Sequence, residues 1–294
     1  MNKIWFITGS SRGLGLALAE AVLDAGDKVV ATARKPEEIA DLGKKYGDAI
    51  HAVKVDVKSS DDVEKGVGQA VDAFGRIDVV VNNAGYGFLG AFEEMTPEEF
   101  KAQVDTNFWG VVNVTRAVLP LLRKQGSGHL IQVTSVGGRS GFPGLSGYHA
   151  AKFAVEGWSE ALAQEIKPLG LKLTIIEPGG FRTDWAGSSM GYAKEIPEYA
   201  SVRTMRQLLG ERDGVQPGDP RKAAQVMLKL VDLPEPPLRL PLGNDAIAVL
   251  RFGYKHAAEE LEKWAEITQS TDFDGVKVSN TDHAVLQALR QKPA

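Results

Sequence analysis

The segment KIWFITGSSRGLG, residues 3–15, joins a run of apolar residues to a glycine-rich turn. The apolar run predicts a buried strand over 3–8, and the residues after the turn predict a helix over 13–25. Glycine lets the backbone turn sharply, and the new helix offers free N–H groups and a positive dipole end to a pyrophosphate. The alternative is a plain tight turn before a helix. Its place on the first strand-to-helix turn favours the phosphate-binding interpretation.

Apolar runs alternate with helical patterns along the rest of the chain. Further strands are predicted over 28–33, 50–55, 77–82, 129–134 and 171–177, with a weaker one over 238–242. Further helices are predicted over 36–46, 60–74, 97–124 and 148–167. This alternation predicts an α/β fold of the Rossmann type, with a doubly wound parallel sheet.

Two helix starts carry clear capping signals, Thr96-Pro97-Glu98-Glu99 and Asp219-Pro220, and Ser59 or Ser60 can cap the helix over 60–74. Residues 1–243 are expected to form one Rossmann-type domain, in which 184–218 lack clean periodicity. Residues 244–294 are expected to form a helical extension packed on the same domain. Its helix over 244–267 would bury Leu250, Ala257, Leu261 and Trp264, and a loosely held tail would follow from Thr268.

Composition and charge exclude several classes of protein and site. The 294 residues have a net charge of −4 without a basic run, so nucleic acid is not expected as a partner. No apolar stretch is long enough to cross a bilayer and no signal peptide is evident, so a soluble cytoplasmic protein is expected. The chain has no cysteine, and its five histidines show no metal-ligand spacing, so no metal site is expected.

The end of the second predicted strand bears on the choice of a dinucleotide. Dinucleotide folds that bind NAD place an acidic residue there, on the ribose 2′-hydroxyl. Here Ala33 and Arg34 occupy this position, and Arg12 in the glycine turn can reach the same place. Guanidinium groups match phosphate oxygens, so NADP(H) is the expected cofactor and NAD(H) the alternative. Both arginines could instead be solvated surface charges.

A second group of residues indicates proton transfer. Tyr148 and Lys152 stand four residues apart at the start of a helix and so share one face. A nearby ammonium favours the phenolate, so we expect Lys152 to lower the pKa of Tyr148 and ready it for proton exchange. This spacing alone is common by chance.

Ser135 and Asn107 strengthen that interpretation. Ser135 follows a strand at the carboxyl end where open sheets bind ligands, although it could be only a turn residue before Gly137. Asn107 is a poor helix former inside a predicted helix, and it is either a tolerated surface residue or the holder of a water in a proton path to Lys152.

Taken together, these residues resemble the classical short-chain dehydrogenase/reductase family. The resemblance covers residues 3–184, in the family's order and spacing. It is carried by Thr8-Gly9-x3-Gly13-x-Gly15, Asp56-Val57, Asn82-Asn83-Ala84-Gly85, Asn107, Ser135, Tyr148-x3-Lys152 and Pro178-Gly179-x3-Thr183. It implies hydride transfer between NADP(H) and a carbonyl or secondary alcohol.

The resemblance also implies a role for each residue. The catalytic residues would be Tyr148 as general acid or base, Lys152 also on the nicotinamide ribose, Ser135 on the substrate and Asn107 on a relay water. The glycine turn would bind the cofactor through Gly9, Ser11, Arg12, Gly13, Leu14 and Gly15, with Arg34 beside it. Asp56 and Val57 would meet the adenine, Asn83, Ala84 and Gly85 would pass beside the cofactor, and Pro178, Gly179, Phe181 and Thr183 would line the nicotinamide.

Residues 184–218 would then form a lid over the substrate. The lid's Trp185, Met190 and Tyr192, with Phe88, Leu89, Phe92 and Phe142, predict an apolar small-molecule substrate, although each aromatic could simply pack the core. Two other functions stay open: a non-catalytic NADP(H) sensor or scaffold of the same fold, and an epimerase or dehydratase. A homodimer or homotetramer through the helices over 97–124 and 148–167 is also expected.

Overall fold

A seven-stranded parallel sheet with helices on both faces forms the body of the computed structural model, which describes residues 2–273 and 275. The strands of this sheet are β1 (Ile4–Thr8), β2 (Lys28–Ala33), β3 (Ile50–Lys54), β4 (Val79–Asn82), β6 (Gly128–Val133), β7 (Leu171–Pro178) and β9 (Arg239–Leu242). A separate parallel pair is β5 (Phe88–Leu89) with β8 (Gly191–Tyr192). The helices are α1 (Gly13–Asp24), α2 (Ala40–Tyr46), α3 (Ser60–Phe74), α4 (Pro97–Val104), α5 (Gly110–Gln125), α6 (Ser146–Ile166), α7 (Ala200–Glu211), α8 (Pro220–Val231) and α9 (Asn244–Gln269).

The sheet is covered on both faces, which explains why its strands are apolar without a break. All five residues of β1 are buried. Trp5 and Ile7 belong to one core cluster and Phe6 belongs to the other, because successive strand residues point to opposite faces. The strand order β3-β2-β1-β4-β6-β7-β9 confirms the predicted doubly wound sheet. The order reverses between β1 and β4, and such a switch point leaves a crevice at the carboxyl ends of the strands.

The predicted helix over 97–124 is interrupted. Its capping box on Thr96 forms as expected, but α4 ends at Val104, and a single π turn over Asp105–Trp109 leads into α5. A π turn joins residues five apart by hydrogen bonds, instead of four apart as in an α-helix. The apolar periodicity of the sequence does not reveal such a local change. Gly110 follows the turn, and a Cβ there would lie 2.6 Å from Cγ2 of Val57.

The segment 184–218 is more regular than its sequence indicates. It contains β8 and the helix α7, and the expectation of an irregular segment is therefore wrong for these residues. The helix escapes periodicity because Val202 is its only buried residue. The two ends of the segment meet, since Gly218 N–H donates to Gly180 O at 2.9 Å and Arg182 N–H donates to Gly218 O at 3.0 Å.

The C-terminal part begins with α9. One compact unit of the chain ends at Leu250, and a second begins at Arg251. Leu250 is buried as predicted, but Ala257, Leu261 and Trp264 are exposed, so the expected apolar face is not buried beyond Leu250. A regular apolar spacing identifies a helix but not what covers it. The packing of 244–294 on the domain stays a prediction, and residues 276–294 lie outside the described part. Among the described residues, no helix is long and apolar enough to cross a membrane.

Candidate active site

The glycine turn is held from the neighbouring strand end. The Thr8 hydroxyl accepts from the backbone N–H groups of Asn83 and Ala84, both at 3.0 Å, and donates to Val81 O at 3.2 Å. The Asn83 amide donates to Thr8 O at 2.9 Å and to Gly9 O at 3.1 Å. Asn83 therefore braces the turn through its side chain, which bonds carbonyl oxygens of the turn and not its N–H groups.

Three glycines give this turn the shape of a cradle, because side chains at these positions would strain the backbone or overlap it. Gly9 and Gly13 have φ angles of 67° and 57°, which L-residues with side chains rarely adopt. A Cβ on Gly15 would overlap Gly9 O, so the start of α1 is pressed against the turn. The first turn of α1 contains no acidic residue. Free N–H groups at the end of a helix, without a nearby carboxylate, fit the pyrophosphate of a dinucleotide.

The other residues predicted to bind the cofactor near the glycine turn are placed as follows. Ser11 and Leu14 are half-buried, and the Leu14 side chain packs on the core. Ser10, which the sequence did not single out, ties the turn to β2, since its N–H donates to Thr32 O at 3.0 Å. Arg12 and Arg34 are exposed, and within residues 2–273 and 275 neither guanidinium has a hydrogen-bond or ion-pair partner.

Asp56 and Val57 follow β3, at the same edge of the sheet as the glycine turn. One Asp56 carboxylate oxygen accepts from Lys58 N–H at 3.0 Å, so this side chain shapes its own turn. Its other oxygen lies 3.8 Å from Lys58 Nζ. Val57 is buried, and its carbonyl accepts from the Asn113 amide at 3.0 Å. These contacts fix the position of both residues, and the adenine contact stays a prediction.

Ser135 ends its strand in a turn that a histidine holds. The Ser135 hydroxyl accepts from Gly137 N–H at 3.0 Å. His149 Nδ1 lies 2.7 Å from Gly137 O, and its Nε2 accepts from Phe142 N–H at 3.0 Å, so Nδ1 carries the proton. Burial lowers the pKa of His149 and keeps it neutral. The His149 ring lies beside Tyr148, with 5.8 Å between the two ring centroids.

Tyr148 and Lys152 lie on α6 beside this turn, and both are buried. Lys152 Nζ donates to Val133 O at 2.8 Å and lies 5.7 Å from the centroid of the Tyr148 ring. The expectation that Lys152 lowers the pKa of Tyr148 is wrong for this structure. Burial raises the pKa of Tyr148 to about 12, against a smaller lowering by the Ser135 hydroxyl. Burial also lowers the pKa of Lys152 to about 8.

Asn107 lies in the π turn and is buried. Its Oδ1 accepts from Tyr86 N–H at 3.1 Å and its Nδ2 donates to Tyr86 O at 3.0 Å. A Cβ on Gly85 would lie 2.5 Å from Asn107 Oδ1 and 3.7 Å from Lys152 Nζ. The segment through Gly85 is thus in contact with both residues, and Asn107 is not a tolerated surface residue.

The segment from Pro178 to Thr183 closes the site on the remaining side. Phe181 pairs with Gly218, and a Cβ on Gly13 would lie 3.4 Å from Thr183 Cβ, which places this segment against the glycine turn. The Asp245 carboxylate, at the start of α9, accepts from Gly180 N–H at 2.7 Å. Sequence reasoning missed Asp245, which lies far along the chain and carries no motif.

The predicted lid, residues 184–218, contributes apolar side chains to the surroundings of Tyr148. Tyr148 belongs to a cluster whose other buried members are Leu89, Ala91, Leu145, Met190 and Val202. The Trp185 ring lies 5.3 Å from the Tyr148 ring. Phe92 is a correction to the predicted cleft residues, since it is 72% exposed and packs edge-on against Phe100.

Comparisons with known proteins agree with this geometry. A family model described as short chain dehydrogenase matches residues 3–191. The chain is 49% identical to "Oxidoreductase BOA17" of Botryotinia fuckeliana over 270 residues, which is 91% of this chain and 98% of the relative. It is 38% identical to the 3-ketodihydrosphingosine reductase of Bacteroides thetaiotaomicron over 250 residues, 82% of this chain and 88% of the relative.

Solved structures give the same result. The crystal structure of a short-chain dehydrogenase from Streptomyces avermitilis has a TM-score of 0.88 and 40% identity, covering 93% of this chain and all of the other. Other solved neighbours carry a nicotinamide nucleotide, an NADP analogue in one and NADH in another. The chain therefore belongs to the short-chain dehydrogenase family and is an oxidoreductase that acts on CH–OH and C=O groups.

Proposed function

We propose that this chain is an NADP(H)-dependent enzyme that reduces the carbonyl of an apolar small molecule, or oxidises the matching alcohol, with Tyr148 as general acid or base. The observation that carries the proposal is the meeting of Ser135, Tyr148 and Lys152 at the carboxyl end of β6, beneath an apolar lid and beside a glycine cradle. A phenol, a hydroxyl and an ammonium in one dry site suit proton transfer to a carbonyl oxygen.

Each side chain has a separate part in the reaction. When bound, the nicotinamide supplies or accepts the hydride. Because burial raises the pKa of Tyr148 to about 12, its hydroxyl stays protonated near neutral pH and can give its proton to a carbonyl oxygen as reduction makes that oxygen more basic. The Ser135 hydroxyl orients that oxygen. Lys152 has donors left beside its bond to Val133 O, and these would hold the nicotinamide ribose.

Asn107 is assigned to the relay water through its backbone. Its side chain bonds the Tyr86 backbone in both directions. A π turn takes carbonyls out of the regular helical ladder, and such turns are frequent at functional sites. The water would therefore lie on a main-chain carbonyl of the turn, in a path toward Lys152.

The preference for NADP(H) over NAD(H) rests on charge. Arg34 follows β2 where NAD-binding folds place an acid, and its guanidinium is exposed like that of Arg12. Guanidinium groups bind a 2′-phosphate in a bidentate manner. The NADP analogue held by one solved neighbour supports this choice, whereas the NADH held by another keeps NAD(H) as the alternative.

The substrate class and the assembly follow from apolar surfaces. Trp185 and Met190 beside Tyr148 favour an apolar ketone, in line with the ketone reductase among the relatives. Trp109 in the π turn and Phe153 on α6 are 52% and 46% exposed. They lie within the segments 97–124 and 148–167 that are predicted to pair subunits, which supports a homodimer or homotetramer. A cytoplasmic location stays a prediction.

The test measures NADPH oxidation with a panel of ketones, quinones, steroids and reducing sugars, in wild type and in Tyr148→Phe. We expect the variant to lose turnover by roughly 100- to 10,000-fold, because the phenol supplies the proton. NADPH binding, followed by the fluorescence of the nucleotide, should change little. Turnover near that of wild type would remove Tyr148 from its proposed role.

A further inference from the structure

A buried ionic cluster lies directly behind the candidate active site. It consists of Glu156 on α6, Glu177 near the end of β7, Arg139 in the turn after Ser135, and Arg239 on β9. Glu156 and Glu177 are 3% and 1% exposed. Burying a carboxylate costs free energy unless the carboxylate is paired. None of the catalytic or binding roles proposed above uses a residue of this cluster.

Glu156 joins three elements of the fold. Its Oε1 accepts from the Thr134 hydroxyl at 2.6 Å, and its Oε2 accepts from Arg239 Nε at 3.0 Å. The Thr134 hydroxyl also lies 3.0 Å from Ile176 O, but its single proton belongs to the shorter contact with the carboxylate. Charge-assisted bonds of this length are stronger than neutral ones.

Both ends of this link adjoin the proposed catalytic residues. Thr134 directly precedes Ser135, while Glu156 stands one helical turn after Lys152 and two after Tyr148. The turn after Ser135 is also pressed onto α6, because a Cβ on Gly138 would lie 2.9 Å from Glu156 Cγ and 3.2 Å from Lys152 O. A shift of Glu156 would therefore move Ser135 relative to Tyr148.

The arginines balance the charge of the cluster. Arg139 Nη1 donates to Glu177 Oε1 at 3.2 Å, and Arg239 Nε lies 3.9 Å from the same oxygen. Burial and the charge of Glu156 raise the pKa of Glu177 to about 7. Arg239 also donates to Glu160 Oε2 at 2.8 Å, at the exposed edge of the cluster.

We propose that Glu156 is a positioning residue, whose carboxylate fixes the strand end that carries Ser135 against the helix that carries Tyr148 and Lys152. The inference rests on the function proposed above. Proton transfer and hydride transfer need reacting atoms in a narrow geometry, and a displacement of about 1 Å costs on the order of 100-fold in rate. The contacts of Glu156 lie beside the residues proposed as catalytic, so we expect its loss to lower turnover more than binding at the glycine turn.

The test compares Thr134→Val, Thr134→Ser and Glu156→Gln with wild type, using the fastest carbonyl substrate from the panel. We expect Thr134→Val and Glu156→Gln to lower kcat by roughly 10- to 100-fold while KM for NADPH changes little, which marks a loss in the chemical step. Thr134→Ser keeps the hydroxyl, so its kcat should stay close to that of wild type. Thermal unfolding is followed for every variant.

Glu160→Gln is the matched control. It lies one turn further along α6 and removes a bond to the same arginine, but it does not touch Thr134. Its kcat should equal that of wild type. A kcat equal to that of wild type in Thr134→Val overturns the proposal, whatever the Tm of this variant. The result for Thr134→Val is sufficient even if Glu156→Gln does not fold. Full turnover in Tyr148→Phe would instead overturn the proposed function.

Discussion

The cofactor half and the substrate half of the candidate site are built by different means. Around the glycine turn, the backbone itself forms the surface, and Thr8, Ser10 and Asn83 fix it by hydrogen bonds to main-chain groups. Over Tyr148, the surface consists of side chains such as Trp185 and Met190 from the lid, which touch one another by apolar packing.

This difference separates what is rigid from what can vary. A backbone surface depends on a few glycines. A Cβ on Gly9 or Gly15 would meet main-chain atoms that cannot move aside, and Gly13 has a φ angle that side chains rarely adopt. A side-chain surface is shaped by the size of its residues, so substitution changes which molecules fit. We therefore expect changes in the cofactor half to abolish binding, and changes in the substrate half to alter selectivity.

The largest effect should come from Gly15→Ala. The new Cβ overlaps Gly9 O, so the cradle must open. We expect NADPH binding to weaken by about 100-fold or more, since overpacking against backbone costs up to about 3 kcal/mol. Gly43→Ala is the control, because a Cβ there meets no atom within 4 Å. Fluorescence titration with NADPH measures both, and equal affinities would show that the cradle is not a binding surface.

A smaller effect is expected from Ala33→Asp combined with Arg34→Ala. The carboxylate would repel a 2′-phosphate and accept from a 2′-hydroxyl, while the attraction of Arg34 is lost. One charge-assisted hydrogen bond accounts for roughly 10- to 150-fold in the ratio of kcat/KM for NADPH and NADH. Both cofactors are measured side by side. A wild-type preference for NADH, or a ratio that the double change leaves in place, would contradict the assignment of Arg34.

The smallest effect concerns the substrate half. Trp185→Ala removes the ring 5.3 Å from Tyr148 and enlarges the space above it. We expect kcat/KM for bulky ketones to rise by about 10-fold relative to small ones, with KM for NADPH unchanged. Phe92→Ala is the control, since Phe92 is exposed and packs on Phe100. The same shift in both variants would argue against a selective role for Trp185.

The sheet could be predicted from sequence, and the residues proposed as catalytic could be singled out, because each signal is a short stretch of sequence. Each core strand is a largely apolar run. The spacing of Tyr148 and Lys152 on one helix is common by chance, and it becomes informative because Ser135 and Asn107 accompany it. The glycine turn is equally legible, since positive φ angles at Gly9 and Gly13 demand that residue type.

Other features depend on contacts between distant segments. The pKa of Tyr148 is raised by burial, against a smaller lowering by the Ser135 hydroxyl, and the sequence displays neither contact. Asp245 reaches Gly180 across 65 residues of chain, and α7 buries too little surface for a clear pattern. The π turn at Asn107 differs from an ordinary helix only in the register of its hydrogen bonds, and the amino-acid composition does not predict that register.

The meeting of Gly180 and Gly218 bears on how such enzymes diversify. Because the chain just before the lid is hydrogen-bonded to the last residue of the lid, the residues between Gly180 and Gly218 form a closed loop away from the sheet. Lengthening such a loop costs little, about 0.6 kcal/mol for each doubling of its length. Evolution, or a designer grafting segments between homologues, could exchange this loop as a cassette and obtain a new substrate range, while the hydride-transfer machinery beneath it is inherited unchanged.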